Sequence, residues 1–167
     1  MRGRLRKFTL TAHVSSSVSW MGAILVYLAL ASASISGPDP ETARAGFLIL
    51  HKIAYTVIVP LSLAALLTGL IQSLRTEWGI VRYYWVLAKV VLTVPAVAIL
   101  LMHLPTIGRM SRLAAVAPLA DLGALRLQLV VHAAGALLVL LTVTALSIYK
   151  PWGKIGFGRR AVRSRTA

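Results

Sequence analysis

Five side chains that could do chemistry stand in apolar surroundings: His13, His51, Lys89, His103 and His132. Ionisable groups inside hydrocarbon are costly and by default functional. A neutral imidazole can ligate haem iron or copper, and it can move a proton near neutral pH. It can also do no more than hydrogen-bond one helix to another. The chain has no cysteine. Disulfides, iron–sulfur clusters, thiolate zinc sites and thioether-attached haem are therefore excluded, while a site built from histidine is not. All four acids, Asp39, Glu41, Glu77 and Asp121, fall outside the apolar segments. Cation- or proton-coupled transport usually needs an intramembrane carboxylate, so that class loses weight. There is no phosphate loop, no Ser/His/Asp arrangement and no metal-hydrolase spacing.

The elements that must position these residues are membrane spans. Of 167 residues, 58% are apolar, against about 45–50% in an ordinary soluble domain. Apolar segments lie at about 8–36, 46–72, 83–104 and 125–149. Each meets the roughly 20 residues that a helix needs to cross about 30 Å of hydrocarbon. The first has a basic start, but its apolar run exceeds the roughly 7–15 residues of a signal peptide, so it reads as a retained span. The expected fold is all-α: an integral membrane up-down-up-down four-helix bundle, one transmembrane domain over 1–167 with a basic cytoplasmic tail at 150–167. Twelve basic residues fall at the N-terminus, in the second connection and in the C-terminal tail, against five on the other side (Arg44, Lys52, Arg109, Arg112 and Arg126). The positive-inside rule then puts both termini in the cytoplasm. The net charge of +14 sits at the ends of apolar blocks, where it marks topology and lipid contact rather than a nucleic-acid surface.

Smaller signals refine this outline. Pro60 and Pro95 should kink the second and third spans. Residues 110–125 mix Leu, Ala and Arg and read as a short interfacial helix. Trp78, Tyr83, Tyr84, Trp85 and Trp152 suit an inner aromatic belt.

Topology gives depth. His51 lies about 7 Å and His132 about 10 Å below the outer surface, at 1.5 Å per residue, and His103 lies near the same surface. The second and fourth helices of such a bundle are diagonal and parallel. His51 and His132 should therefore face one another and could hold a b-type haem, with His103 as alternate ligand or support. Arg109, Arg112 and Arg126 would neutralise its propionates. His13 and Lys89 would form a second, inner polar site. Helical spacing puts His13, Ser16, Ser17, Trp20 and Tyr27 on one stripe, Trp85, Lys89, Thr93, Ala96, Leu100 and His103 on another, and Gln128, His132 and Gly135 on a third.

The run His13-Val-Ser-Ser-Ser-Val-Ser-Trp20-Met-Gly22 resembles the opening of two bacterial membrane families, the copper resistance protein D family and the HemJ-type protoporphyrinogen oxidases. Leu67-Thr68-Gly69-Leu70 and Trp85-Val-Leu-Ala-Lys89-Val-Val-Leu resemble their second and third spans. The likeness covers roughly half the chain and is similar to uncharacterised four-span bacterial proteins of this group. It implies a bacterial inner-membrane location and matches His13 and Lys89 to a histidine and a lysine associated with haem and tetrapyrrole chemistry. His51 and His132 have no counterpart in it, and the methionine clusters that suit Cu(I) are missing.

Three functions follow as expectations. One is a haem b or redox protein, an oxidoreductase if it is an enzyme, with a quinone, a tetrapyrrole or a redox protein as partner. The second is a copper-handling protein using His51 and His132, with Met102 and Met110 nearby. The third is a cofactor-free scaffold, a homo-oligomer or a subunit of a membrane complex.

Overall fold

The computed structural model describes residues 3–36, 39–75, 83–116, 118 and 122–151. Its helices are α1 (Gly3–Ser36), α2 (Pro40–Ile53), α3 (Val59–Arg75), α4 (Tyr84–Val116) and α5 (Gly123–Tyr149), with one π-helical turn, Ala54–Ile58, joining α2 to α3. Four rods result: α1, α2 with α3, α4, and α5. Each is long and apolar enough to cross a membrane. The shortest, 27 residues, is about 40 Å long at 1.5 Å per residue. Only 17% to 28% of the residues in their apolar windows are buried. Leu25, Val91 and Leu138 are among the many large apolar side chains that face outward. Water would not tolerate such a surface, and a bilayer covers it. This is a polytopic membrane protein.

Every rod touches the one before and after it, and α5 closes back on α1. Contacts between neighbours pair residues in opposite order along the chain. Ser34 meets Gly46 while His13 meets Gly69. Arg44 reaches the Ala115 carbonyl while His51 meets Gly108. His103 meets His132 while Lys89 meets Ser147. Burial of apolar surface drives little association in lipid, so close packing must. Phe47, Leu50, Ile58, Met110 and Leu129 are almost fully enclosed. Three glycines let polar side chains from the next helix come close: Gly46 receives Ser34, Gly69 receives His13 and Gly108 receives His51.

Two expectations change. Residues 110–116 form no separate interfacial helix, because α4 runs unbroken through Pro95 and Pro105 to Val116. The reason is an inward stripe, His103, Ile107, Met110, Ser111 and Ala114, all buried, which continues the helical period past the proline. The second span contains a π turn rather than a plain proline bend. The Val59 N–H reaches back to the Ala54 carbonyl, one residue further than in an α-helix. Pro60 has no N–H, and its ring would press on the carbonyl of residue 56 in a regular turn. A widened turn just before it relieves that contact. Trp78 and Trp152, and nearly all of the basic tail, lie outside the described residues. Trp85 is buried rather than placed on a surface belt.

The start of α2 is fixed by Asp39. Its carboxylate accepts from the Thr42 hydroxyl and from the Thr42 and Glu41 backbone N–H groups, and Pro40 fills the first helical position. Those bonds, led by the Thr42 hydroxyl, hold the Asp39 pKa below the usual carboxylate range. A depressed folded pKa means stability that is present above the unfolded value, about 3.9, and is lost as pH falls through the lower folded value. The Thr42 amide signal should therefore stay constant in NMR above about pH 4 and shift on further acidification. In Asp39→Asn the acid-dependent shift should vanish.

Candidate functional site

The middle stretches of α4 and α5, with α1 and the π turn, border a cavity of about 360 Å³. Three polar residues line it: Tyr27 from α1, His103 from α4 and His132 from α5. Every other lining residue is Ala, Ile, Leu, Val or Gly. The π turn matters here, because Ala54 and Ile58 form one wall and both are fully buried.

The imidazoles of His103 and His132 are stacked, with ring centroids 3.9 Å apart and planes 10° from parallel. His132 Nδ1 lies 2.8 Å from the Gln128 carbonyl. A carbonyl oxygen only accepts, so Nδ1 carries the proton and Nε2 keeps its lone pair. His103 is buried, and its Nε2 has no hydrogen-bond partner. The Tyr27 hydroxyl is buried in the same condition.

His51 is not the ring that meets His132. It sits against Gly108 and beside the Arg112 guanidinium on α4, with the Tyr55 ring 4.7 Å away, and it is not part of the cavity wall. The ring that stands against His132 is that of His103, where His51 was expected. Parallel rings 3.9 Å apart leave no room for a macrocycle between them. Arg126 is also otherwise engaged. Its Nη2 donates to the Ser34 and Ile35 carbonyls, at 2.7 and 2.9 Å, and its guanidinium lies 6.0 Å from the Phe47 ring centroid. It fastens α5 to the last carbonyls of α1. Arg109 and Arg112 are exposed.

His13 and Lys89 are held separately. His13 Nδ1 donates to the Ala65 carbonyl at 3.0 Å and approaches Thr68 Oγ1 at 3.2 Å. Lys89 Nζ donates to Ser147 Oγ at 3.3 Å and stands 4.6 Å over the Trp85 ring. No hydrogen bond between His13 and Lys89 is seen among the described residues. Each of these two groups has a local partner that accounts for its position.

No family model, no curated protein and no solved structure matches the chain. The chemistry of the cavity follows from its own side chains. Among the described residues no three His, Asp or Glu side chains gather into a metal cluster. Met102, a soft ligand in the copper reading, is 80% exposed, and Met110 is sealed in the core.

Sequence reasoning placed His103 and His132 near one face and took His51 as the partner of His132, whereas the ring stacked on it is that of His103. Tyr27 was on a recognised stripe without a role. The glycine seats at Gly46, Gly69 and Gly108 are visible in the sequence only as small residues, and the side chain each one faces is set by packing.

Proposed function

We propose that this is a multi-pass protein of a bacterial inner membrane, with both termini cytoplasmic, that binds a lipophilic redox molecule in the α4/α5 cavity. The observation that carries this reading is the buried His103 imidazole, whose Nε2 lacks a partner inside an otherwise apolar cavity. A buried polar atom left unpaired costs about 1–3 kcal/mol, and a bound molecule with a hydrogen-bonding group removes that cost. The bundle orientation is supported by the basic residues of the N-terminal and C-terminal ends.

Haem b is a second reading, favoured by one detail. The Nδ1–H of His132 is tied to a backbone carbonyl, the usual support of a metal-ligating imidazole, and this frees Nε2 as the ligand. His132 Nε2 would hold the iron from one face only, and the haem would supply one-electron chemistry. Copper handling has less support, because the two stacked imidazoles lack a third ligand among the described residues.

The test is purification in mild detergent, followed by oxidised and dithionite-reduced spectra, mass spectrometry of an organic extract and metal analysis. A lipophilic redox molecule should co-purify and fall about tenfold in His103→Leu, as for one lost hydrogen bond in a dry site. A Soret band abolished by His132→Leu would select haem. An extract with no such molecule, together with a spectrum without bands, would leave the scaffold reading in its place.

A further inference from the structure

We infer that the cavity takes a quinone headgroup, whose two ring oxygens are held by the Tyr27 hydroxyl and His103 Nε2. This deepens the proposed function and rests on it.

Two buried polar atoms without partners line this one cavity. Tyr27 is 4% and His103 8% exposed, so water does not satisfy them from outside. They come from α1 and α4, which are not neighbours in the ring of helices, and so reach the cavity from diagonally opposed rods. The wall beyond Tyr27, His103 and His132 is apolar, so water held by those three side chains would leave most of the cavity without polar partners. The occupant that pairs both atoms is a molecule with a polar group at each of two ends and an apolar body between them.

Charge narrows the class. No Lys, Arg, Asp or Glu lines the cavity, so an anionic or cationic headgroup would be buried without a counter-charge. A neutral lipid with a single hydroxyl or carbonyl would leave one of the two atoms unpaired. A quinone carries two neutral acceptors on one flat ring. The same two protein groups suit its reduced form, because a phenol hydroxyl and an imidazole nitrogen can each donate to a carbonyl or accept from a quinol hydroxyl.

The way in also fits a molecule dissolved in the bilayer. Ile99 and Val131 line the cavity yet are 53% and 57% exposed, and a Cβ added at Gly135 would meet nothing within 4 Å. The cavity therefore opens sideways between α4 and α5. Ile24, Ile58, Leu100, Ile107 and Leu129 offer an apolar bed for the ring and the first part of its tail.

The experiment titrates the full-length protein in detergent with a decyl-substituted 1,4-benzoquinone and, separately, with decylbenzene, by calorimetry. Gly135→Phe, which fills the mouth, gives the background of partition into detergent. The wild type should bind the quinone at least about tenfold more tightly than decylbenzene. Tyr27→Phe and His103→Leu should each lose about tenfold for the quinone, one hydrogen bond in a dry site, and leave decylbenzene unchanged. Equal binding of both probes, or variants that leave quinone binding intact, would overturn the quinone assignment while the cavity remained a lipophile site. Binding of both probes no better than in Gly135→Phe would overturn the cavity reading itself. Tyr27→Phe is isosteric apart from one oxygen, and its unfolding temperature separates lost binding from lost folding.

Discussion

Arg126→Ala should destabilise the bundle by roughly 2–4 kcal/mol, read by heat- or SDS-driven unfolding in detergent. The guanidinium donates to two carbonyls at the C-terminal end of α1, where the helix has no further N–H to offer them. Hydrogen bonds to a charged group contribute about 1.5–3 kcal/mol each. The bond to Ile35 is exposed and belongs at the low end. A cation at a helix C-terminus adds about 0.3–1 kcal/mol. Arg126→Lys should recover less than half of the loss, because an ammonium on a flexible stem replaces a preorganised planar donor. A change below about 0.5 kcal/mol, the range of an ordinary surface substitution, would show that water serves those carbonyls equally well.

The same arginine shows where the sequence stops being informative. Its position near the start of the fourth span is readable from the span boundaries, and a basic residue there suits an anionic ligand group. Nothing in the chain order says that the end of α1, some ninety residues earlier, will lie against it. The spans were legible for a simple reason: hydrocarbon demands length and apolarity, and both are local properties of a segment. Rotation about each helix axis is different. In a soluble helix a polar face and an apolar face fix it. Here Val18, Leu25, Val91 and Leu138 face outward with the same chemistry as the core, so composition does not distinguish in from out. His51 shows the consequence, since its depth is readable but its direction, toward Gly108 and Arg112, is not.

Two local features depart from a regular reading. The π turn inserts an extra residue before α3, so the faces of α2 and α3 are not related by one regular period of 3.6. Pro60 was the visible sign of an irregularity, but a kink and a π turn both answer it. In α4, Arg109 and Arg112 looked like the end of a span. The helix continues because buried residues recur every three or four positions to Ala114, and Arg44 of α2 still reaches the Ala115 carbonyl.

A contrast between two glycines, Gly69 and Gly22, tests the packing most directly. Gly69→Ala should destabilise by roughly 1–3 kcal/mol, the cost of an overpacked contact, even though alanine is the better helix former by about 1 kcal/mol. The added Cβ would lie 2.9 Å from His13 Cε1. That ring cannot swing aside freely, because its Nδ1 is bound to the Ala65 carbonyl one turn before Gly69. Gln72 fastens the same pair of helices at the Thr9 carbonyl, so separation of α1 from α3 would strain a second contact. Gly22→Ala introduces the same methyl group where nothing lies within 4 Å, and it should leave stability unchanged or raise it by up to about 1 kcal/mol. Unfolding of the two variants under one set of conditions is the measurement. The His13 imidazole resonances should move in Gly69→Ala and stay in place in Gly22→Ala. Equal effects would mean that α1 and α3 are not in close contact at His13. The predicted difference would show that the small residue that matters for this histidine is the one facing it from the second span, not the one nine positions along its own helix.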